Sequence, residues 1–331
     1  MTHSRENAVP ISRRMLLTTT LASGAMLLAG SALAAYPDHP IRLIVPFPPG
    51  GAVDSVARVL AEALGERLGQ PIVSINRGGG GGSIGMDEAA KAAPDGYTIV
   101  LDHSGMAYMP GLYRNLPFDP VKDFAPIIAA VAGFYVLAVN PALPVKSVAE
   151  LIAYAKANPD KLTFGSAGIG STLHLAGEMF KREAGLDMLH VPYRGAGPAI
   201  KDLISGEIKM MFSPAVAMLP LAKSGKVRVL AQTPAKRSAL APDIPSVAET
   251  LPGFDIVGWY GLAGPAAMPR ADVERINTEL NQALEAPPLI ARLHQLSYEP
   301  IGGTPEEAAE RIKTDVERWT KIIRDAGITA Q

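Results

Sequence analysis

From Ile41 onward, short apolar runs alternate with longer stretches in which apolar residues return every three or four positions. The runs Ile41–Val45, Ile72–Ile75, Tyr97–Leu101, Phe134–Asn140, Leu162–Phe164, Leu189–Tyr193, Ile208–Phe212, Lys226–Ala231 and Trp259–Ala263 predict strands. Between them the helical spacing predicts helices over 53–68, where Val56, Ala57, Leu60 and Leu64 share a face, and over 83–92, 148–157, 172–184, 198–205 and 271–284. Ser147-Val148-Ala149-Glu150 and Thr304-Pro305-Glu306-Glu307 read as capping boxes, the second opening a last amphipathic helix. Pro94-Asp95-Gly96 and Asn158-Pro159-Asp160 read as turns. Strand, loop and helix in repetition imply an α/β protein with mostly parallel sheets flanked by helices.

Two lobes are expected, because single cores tend to stop growing near ~250–300 residues. The chain is expected to cross between them near 130–140 and 230–260, which assigns 35–135 plus 256–331 to lobe 1 and 136–255 to lobe 2. Residues 1–34 read as an export signal: Ser12-Arg13-Arg14-Met15-Leu16-Leu17 precedes an apolar stretch, and Ala32-Leu33-Ala34 predicts cleavage after Ala34. The paired arginines fit a twin-arginine signal, and a general secretory signal fits as well. The expected location is the periplasm.

Without that segment the chain carries 28 basic and 31 acidic residues, a net charge of −3. That balance supplies no basic stripe for nucleic acid and no polybasic membrane patch. With no cysteine there is neither a disulfide framework nor a site for a lipid anchor.

Two loops invite an anion. Pro46-Phe47-Pro48-Pro49-Gly50-Gly51-Ala52-Val53-Asp54 and Gly165-Ser166-Ala167-Gly168-Ile169-Gly170-Ser171-Thr172 each lead from a strand into a helix N-terminus, where unpaired N–H groups and the helix dipole favour negative charge. Asp54, a carboxylate at a helix start, reads as an N-cap or as a contact to a ligand through water or an amine. Ser171 and Thr172 read as caps or ligand contacts, His174 as packed or liganding, and Arg194 as a solvated cation or a ligand partner. Trp259 and Tyr260 suit hinge packing or a place in the cleft.

Enzymatic signatures are weak. Gly81-Gly82-Ser83-Ile84-Gly85 has the spacing of a nucleophile elbow, but glycines precede the serine where a strand should. Asp102-His103-Ser104 cannot converge as a triad in an extended segment, because adjacent residues alternate faces. His39, His103, His174, His190 and His294 lack the spacing of a zinc site, and Gly-x-x-Gly-x-Gly at 165–170 is not the dinucleotide fingerprint. No cofactor and no metal are expected.

With these residues in hand, the chain resembles the Bug-type substrate-binding proteins of tripartite tricarboxylate transporters. The resemblance spans the mature chain. It rests on Ile44-Val45-Pro46-Phe47-Pro48-Pro49-Gly50-Gly51 with Asp54, Asn76-Arg77 before a glycine run with Ile84-Gly85, Pro94-Asp95-Gly96-Tyr97 and Leu116-Pro117-Phe118-Asp119-Pro120. Asp123-Phe124-Ala125-Pro126-Ile127, Phe164-Gly165-Ser166 with His174-Leu175-Ala176-Gly177-Glu178, Val191-Pro192-Tyr193-Arg194-Gly195 and Trp259-Tyr260-Gly261-Leu262 continue it.

The resemblance implies a two-lobed periplasmic-binding-protein architecture that closes on its ligand like a flytrap. It implies a monomeric receptor for a small carboxylate that delivers the acid to integral-membrane transporter subunits. It places Phe47, Gly50, Gly51 and Asp54 on one side of the ligand, with Ser166, Gly168, Ser171, Thr172 and His174 on the other, and Ser104, Tyr193 and Ser213 beside the same cleft. Two departures bear on the ligand: Val53 stands where many relatives have a small polar residue, and Ser213 where a number have an acid. Both argue against an amino acid and leave a plain carboxylate, aromatic and hydroxylated acids included. Two other readings are an exported hydrolase acting through Ser83 or Ser104, and a soluble sensor partner of a signalling receptor.

Overall fold

The computed structural model describes residues 36–159 and 161–329, and the export signal expected at 1–34 lies outside them. β1 (Ile41–Val45) lies between β2 (Ile72–Asn76) and β3 (Thr98–His103) and is parallel to both. Its buried Ile41, Leu43, Ile44 and Val45 fit a strand covered on both faces. Helix α1 (Ala52–Leu68) connects β1 to β2, and α2 (Ser83–Ala90) connects β2 to β3. A single 3₁₀ turn, Ser104–Tyr108, and the short α3 (Met109–Leu112) follow β3.

β4 (Phe124–Val139) is much longer than the expected Phe134–Asn140. Its first part pairs antiparallel with β9 as far as Phe134, and from Tyr135 it pairs instead with β7 and β8. Irregularities in the ladder at Pro126/Ile128 and Ile128/Val131 break the alternation that would have announced the first part as a strand. Beyond β4 come α4 (Val148–Ala157), β5 (Thr163–Ser166), α5 (Thr172–Ala184), β6 (Leu189–Pro192), α6 (Ala196–Ser205), β7 (Met210–Pro214), α7 (Ala215–Lys223) and β8 (Arg228–Gln232). β5 is parallel to both β6 and β7.

β9 (Val257–Pro265) then returns antiparallel between β3 and β4. After it come α8 (Arg270–Leu284), α9 (Pro287–Gln295), β10 (Tyr298–Pro300), antiparallel to β4, and α10 (Pro305–Asp325). The sheet is therefore parallel in its two outer sets, as the strand–helix alternation implies, and antiparallel where β4 and β9 run between them.

Helices α7 and α9 were not anticipated, because Pro220 lies inside the first and Pro287-Pro288 opens the second. Proline at the first helical turn is tolerated since its missing N–H has no partner there in any case. Helix α10 opens on the expected capping box of Thr304 and Glu307. Its Ile312 enters the apolar cluster of Ile44, Val100 and Trp259, while Trp319 and Ile323 enter the cluster of Phe164, Phe180 and Phe212. Among the described residues no helix is long and apolar enough to cross a membrane.

Candidate functional site

A cleft of about 610 Å³ opens where the loops after β1, β2 and β3 meet the starts of α5, α6 and α7. Of the expected site residues, Phe47, Ser104, Ser171 and Thr172 line it, joined by Val53 and by Ile169 and Gly170 of the second glycine loop. Gly50, Gly51, Asp54, Ser166, Gly168, His174, Tyr193 and Ser213 do not reach its surface. Among the described residues no lysine, arginine, aspartate or glutamate lines it.

Asp54 is buried at the third position of α1, with Gly51 as the N-cap, so it is not the cap that the sequence allowed. It accepts hydrogen bonds from Arg58 Nε at 3.0 Å, the Gly50 N–H at 3.0 Å and Asn76 Nδ2 at 2.9 Å. The Arg58 bond first, then the Gly50 N–H and the Asn76 amide, hold its carboxyl down to about 2, against burial, which pushes it up. Asn76 Nδ2 also donates to the Phe47 carbonyl at 3.0 Å. Asp54 thus ties the first loop down. It also places a fixed negative charge at the start of α1, the first of the two expected anion receptacles.

The second receptacle is open. Gly168 and Gly170 have φ of +123° and +79°, which only glycine adopts without strain. Ser166, fully buried, accepts from the Gly168 N–H at 3.1 Å and lies 2.7 Å from His190 Nε2. Ser171 caps α5, accepting from the His174 N–H, and its hydroxyl donates to the Gly168 carbonyl at 2.7 Å. His174 Nδ1 accepts from the Gly170 N–H at 3.1 Å, and its ring stacks on His190 at 3.9 Å. Burial holds both imidazoles down to about 4, so both are neutral at neutral pH. Ser166, Gly168, Ser171 and His174 thereby shape the loop from behind. Thr172 and Leu173, the first two residues of α5, line the cleft, and their N–H groups have no acceptor inside their helix.

Hydroxyl groups converge on the same place. Burial pushes the Tyr108 phenol up to about 12, and the Ser104 and Thr172 hydroxyls stand beside it. Thr172 also meets Tyr135. Tyr108 is held from behind by Trp319, edge-on at 4.7 Å. Tyr260 lines the cleft, whereas its neighbour Trp259 is buried and donates Nε1–H to Asp315 at 2.7 Å.

The remaining candidates lie elsewhere. Arg194 is exposed and outside the cleft, and the Tyr193 hydroxyl donates to Asp202 at 2.7 Å. Ser213 is fully buried one residue before Pro214, a cleft residue. Ser83 is the first residue of α2 and does not line the cleft. The Asp102 carboxylate accepts the backbone N–H of His103 at 2.7 Å, so Asp102-His103-Ser104 forms no relay. Sequence reasoning missed Tyr108, Met109, Leu112, Tyr113 and Tyr135 as cleft residues. The density of aromatic and apolar side chains just after Ser104 was the signal available for most of them.

The cleft thus lies between two sets of parallel strands and is lined by hydroxyl-bearing and apolar side chains. The family model described as "Tripartite tricarboxylate transporter family receptor" matches residues 56–328. Protein BugT of Bordetella pertussis is 34% identical to this chain over 95% of it and 99% of BugT. The structure of R. palustris Rpa4515 with adipate superposes with a TM-score of 0.80 at 34% identity, covering 89% of this chain and 100% of that one. MatC from Rhodopseudomonas palustris with bound malate superposes with a TM-score of 0.74 at 30% identity, covering 87% of this chain and 100% of that one. The family model spans residues 56–328 and the fold superposes on these solved structures over most of the chain, and the protein belongs to the tripartite tricarboxylate transporter family of receptors.

Proposed function

We propose that this chain is a periplasmic receptor that closes on a small carboxylate and delivers it to the integral-membrane subunits of a tripartite tricarboxylate-type transporter. The observation that carries the reading is the start of α5, where Thr172 and Leu173, whose N–H groups have no acceptor inside the helix, and the hydroxyl-bearing residues Ser104, Tyr108 and Tyr135 beside Thr172 line a cleft that no described lysine, arginine, aspartate or glutamate lines. Charge-assisted hydrogen bonds of this kind contribute roughly 1.5–3 kcal/mol each. The adipate- and malate-bound relatives support a carboxylate as the ligand.

Ser104 and Thr172 then touch the carboxylate, and Phe47 packs on the rest of the ligand. Gly50, Gly51, Asp54, Ser166, Gly168, Ser171 and His174 hold the two loops that receive it, and Tyr193 and Ser213 support the walls. The lobes are 35–135 plus 256–331 and 136–255. Their crossing is supported by the change of partners in β4 at Tyr135, where the Thr233 N–H donates to the Tyr135 carbonyl at 2.9 Å and the Ile256 N–H to the Thr233 carbonyl at 3.1 Å. Work is done by the ligand's greater affinity for the closed form.

Native mass spectrometry of the protein purified without refolding tests the reading. A co-purified acid of defined mass, displaced by a carboxylate in calorimetric titration, is the expected result. Tight binding of aspartate or glutamate with no binding of carboxylates lacking an amine would overturn it.

A further inference from the structure

The second glycine loop is fastened by side chains that do not line the cleft. The Gly168 N–H donates to Ser166 Oγ and the Gly170 N–H to His174 Nδ1, each at 3.1 Å. Both glycine N–H groups are therefore engaged inside the protein. The donors that the reading above assigns to a carboxylate begin two residues after Gly170, at Thr172. Where those donors stand depends on how the loop before them is held.

One side chain with no part in that reading touches both fastenings. His190 comes from β6, the edge strand of the sheet. Its Nε2 lies 2.7 Å from Ser166 Oγ, and its ring stacks on His174 at 3.9 Å and meets Phe164 at 4.8 Å. Ser166 Oγ also donates to the Gly168 carbonyl at 3.2 Å, but the Ser171 hydroxyl serves that carbonyl at 2.7 Å. The shortest contact of the Ser166 hydroxyl is thus with His190. His174, which accepts at Nδ1, carries its proton on Nε2, 3.7 Å from Glu178 Oε1. A phenylalanine at 190 would offer His174 the same flat face. What the imidazole adds is a polar atom at Ser166, a fully buried hydroxyl.

We propose that His190 is a positioning residue of the anion seat: it orients Ser166 and His174, which hold Gly168 and Gly170, and so sets where the Thr172 and Leu173 N–H groups stand. The inference rests on the carboxylate reading above and extends it to a residue outside the cleft.

Calorimetric titration with adipate, malate, succinate and benzoate tests it, on the wild type, His190→Phe, His190→Gln, Ser166→Ala and the double variant, with melting temperatures measured alongside. In His190→Phe the tightest-bound of the four acids is expected to bind roughly tenfold more weakly, the worth of one hydrogen bond to a buried group. His190→Gln, whose amide can meet Ser166, recovers part of that loss. Added to Ser166→Ala, His190→Phe weakens binding by less than about twofold, because its route to the loop is already cut. Imidazole nitrogen NMR of the ligand-free wild type at pH 7 should show His174 protonated at Nε2. The inference is overturned if His190→Phe lowers the melting temperature but leaves affinity unchanged, if its loss is undiminished beside Ser166→Ala, or if His174 carries its proton on Nδ1. The NMR result decides even where a variant fails to fold. Unchanged affinity in His190→Phe sinks the inference and leaves the carboxylate reading standing, whereas silence from all four acids on the wild type removes both.

Discussion

Position 54 shows how one residue type can serve opposite ends. A carboxylate at a helix start looks like a ligand contact or a cap, and here it is an anchor with three donors, Arg58, Gly50 and Asn76. Replacing Asp54 by alanine removes charge-assisted bonds from a buried position and is expected to cost about 2–4 kcal/mol in urea unfolding. Because folding lowers its pKa from 3.8 to about 2, that stabilisation is complete above pH ~4 and fades as pH falls toward 2. The wild-type and Asp54→Asn unfolding midpoints should therefore converge in strong acid, and curves that stay parallel down to pH 2 would refute the anchor. Asp102 has the opposite sign. Burial, with Asp315 nearby, pushes its carboxyl up to about 8, so folding favours the protonated form and stability declines as pH rises from 3.8 toward 8. Asp102→Asn, which keeps the oxygen that accepts the His103 N–H, should raise the melting temperature by roughly 2–6 °C at pH 8 and by almost nothing near pH 4.

At the scale of elements, legibility followed local chemistry. Helix α5 was readable to the residue because Ser171 caps one end and Gly185, in the left-handed region, closes the other. β4 was not, because Pro126, Gly133 and two ladder irregularities interrupt its first part, and only its pairing with β9 makes that part a strand. The candidate site divided the same way. Thr172 and Ser171 were visible from the glycine turn before them, whereas the Tyr108 and Tyr135 hydroxyls meet Thr172 only through the fold. Within α5, Gly177 looks like a weakness that alanine would repair, since glycine costs about 1 kcal/mol in a helix interior. A Cβ there would fall inside the Phe164 ring, which also stacks on His190. Gly177→Ala is thus expected to destabilise by about 1–3 kcal/mol in thermal or urea unfolding, and a stabilised variant would show that the ring has room to move.

For the whole molecule, the proposed crossing at Tyr135, Thr233 and Ile256 is held by main-chain hydrogen bonds, with the Thr233 hydroxyl adding one to the Ile256 carbonyl at 2.6 Å. Helix α10, whose Ile312 enters one apolar cluster and whose Trp319 and Ile323 enter another, limits on the proposed reading how far the lobes can move. On the proposed reading, saturation with a tight-binding acid should lower the radius of gyration measured by small-angle scattering, and Thr233→Val, which lacks that hydroxyl, should change the closing equilibrium more than the ligand contacts. An unchanged scattering profile at saturation would rule out closure.

The cleft's want of charged side chains has a consequence for descent. Where an acid is held by a lysine or arginine, one codon change can abolish recognition, but on the proposed reading the charge is met by main-chain N–H groups that every substitution except proline leaves in place. On that reading, gene copies of such a receptor can exchange lining residues such as Val53 and Tyr113 and acquire a new acid without first losing their grip on acids as a class.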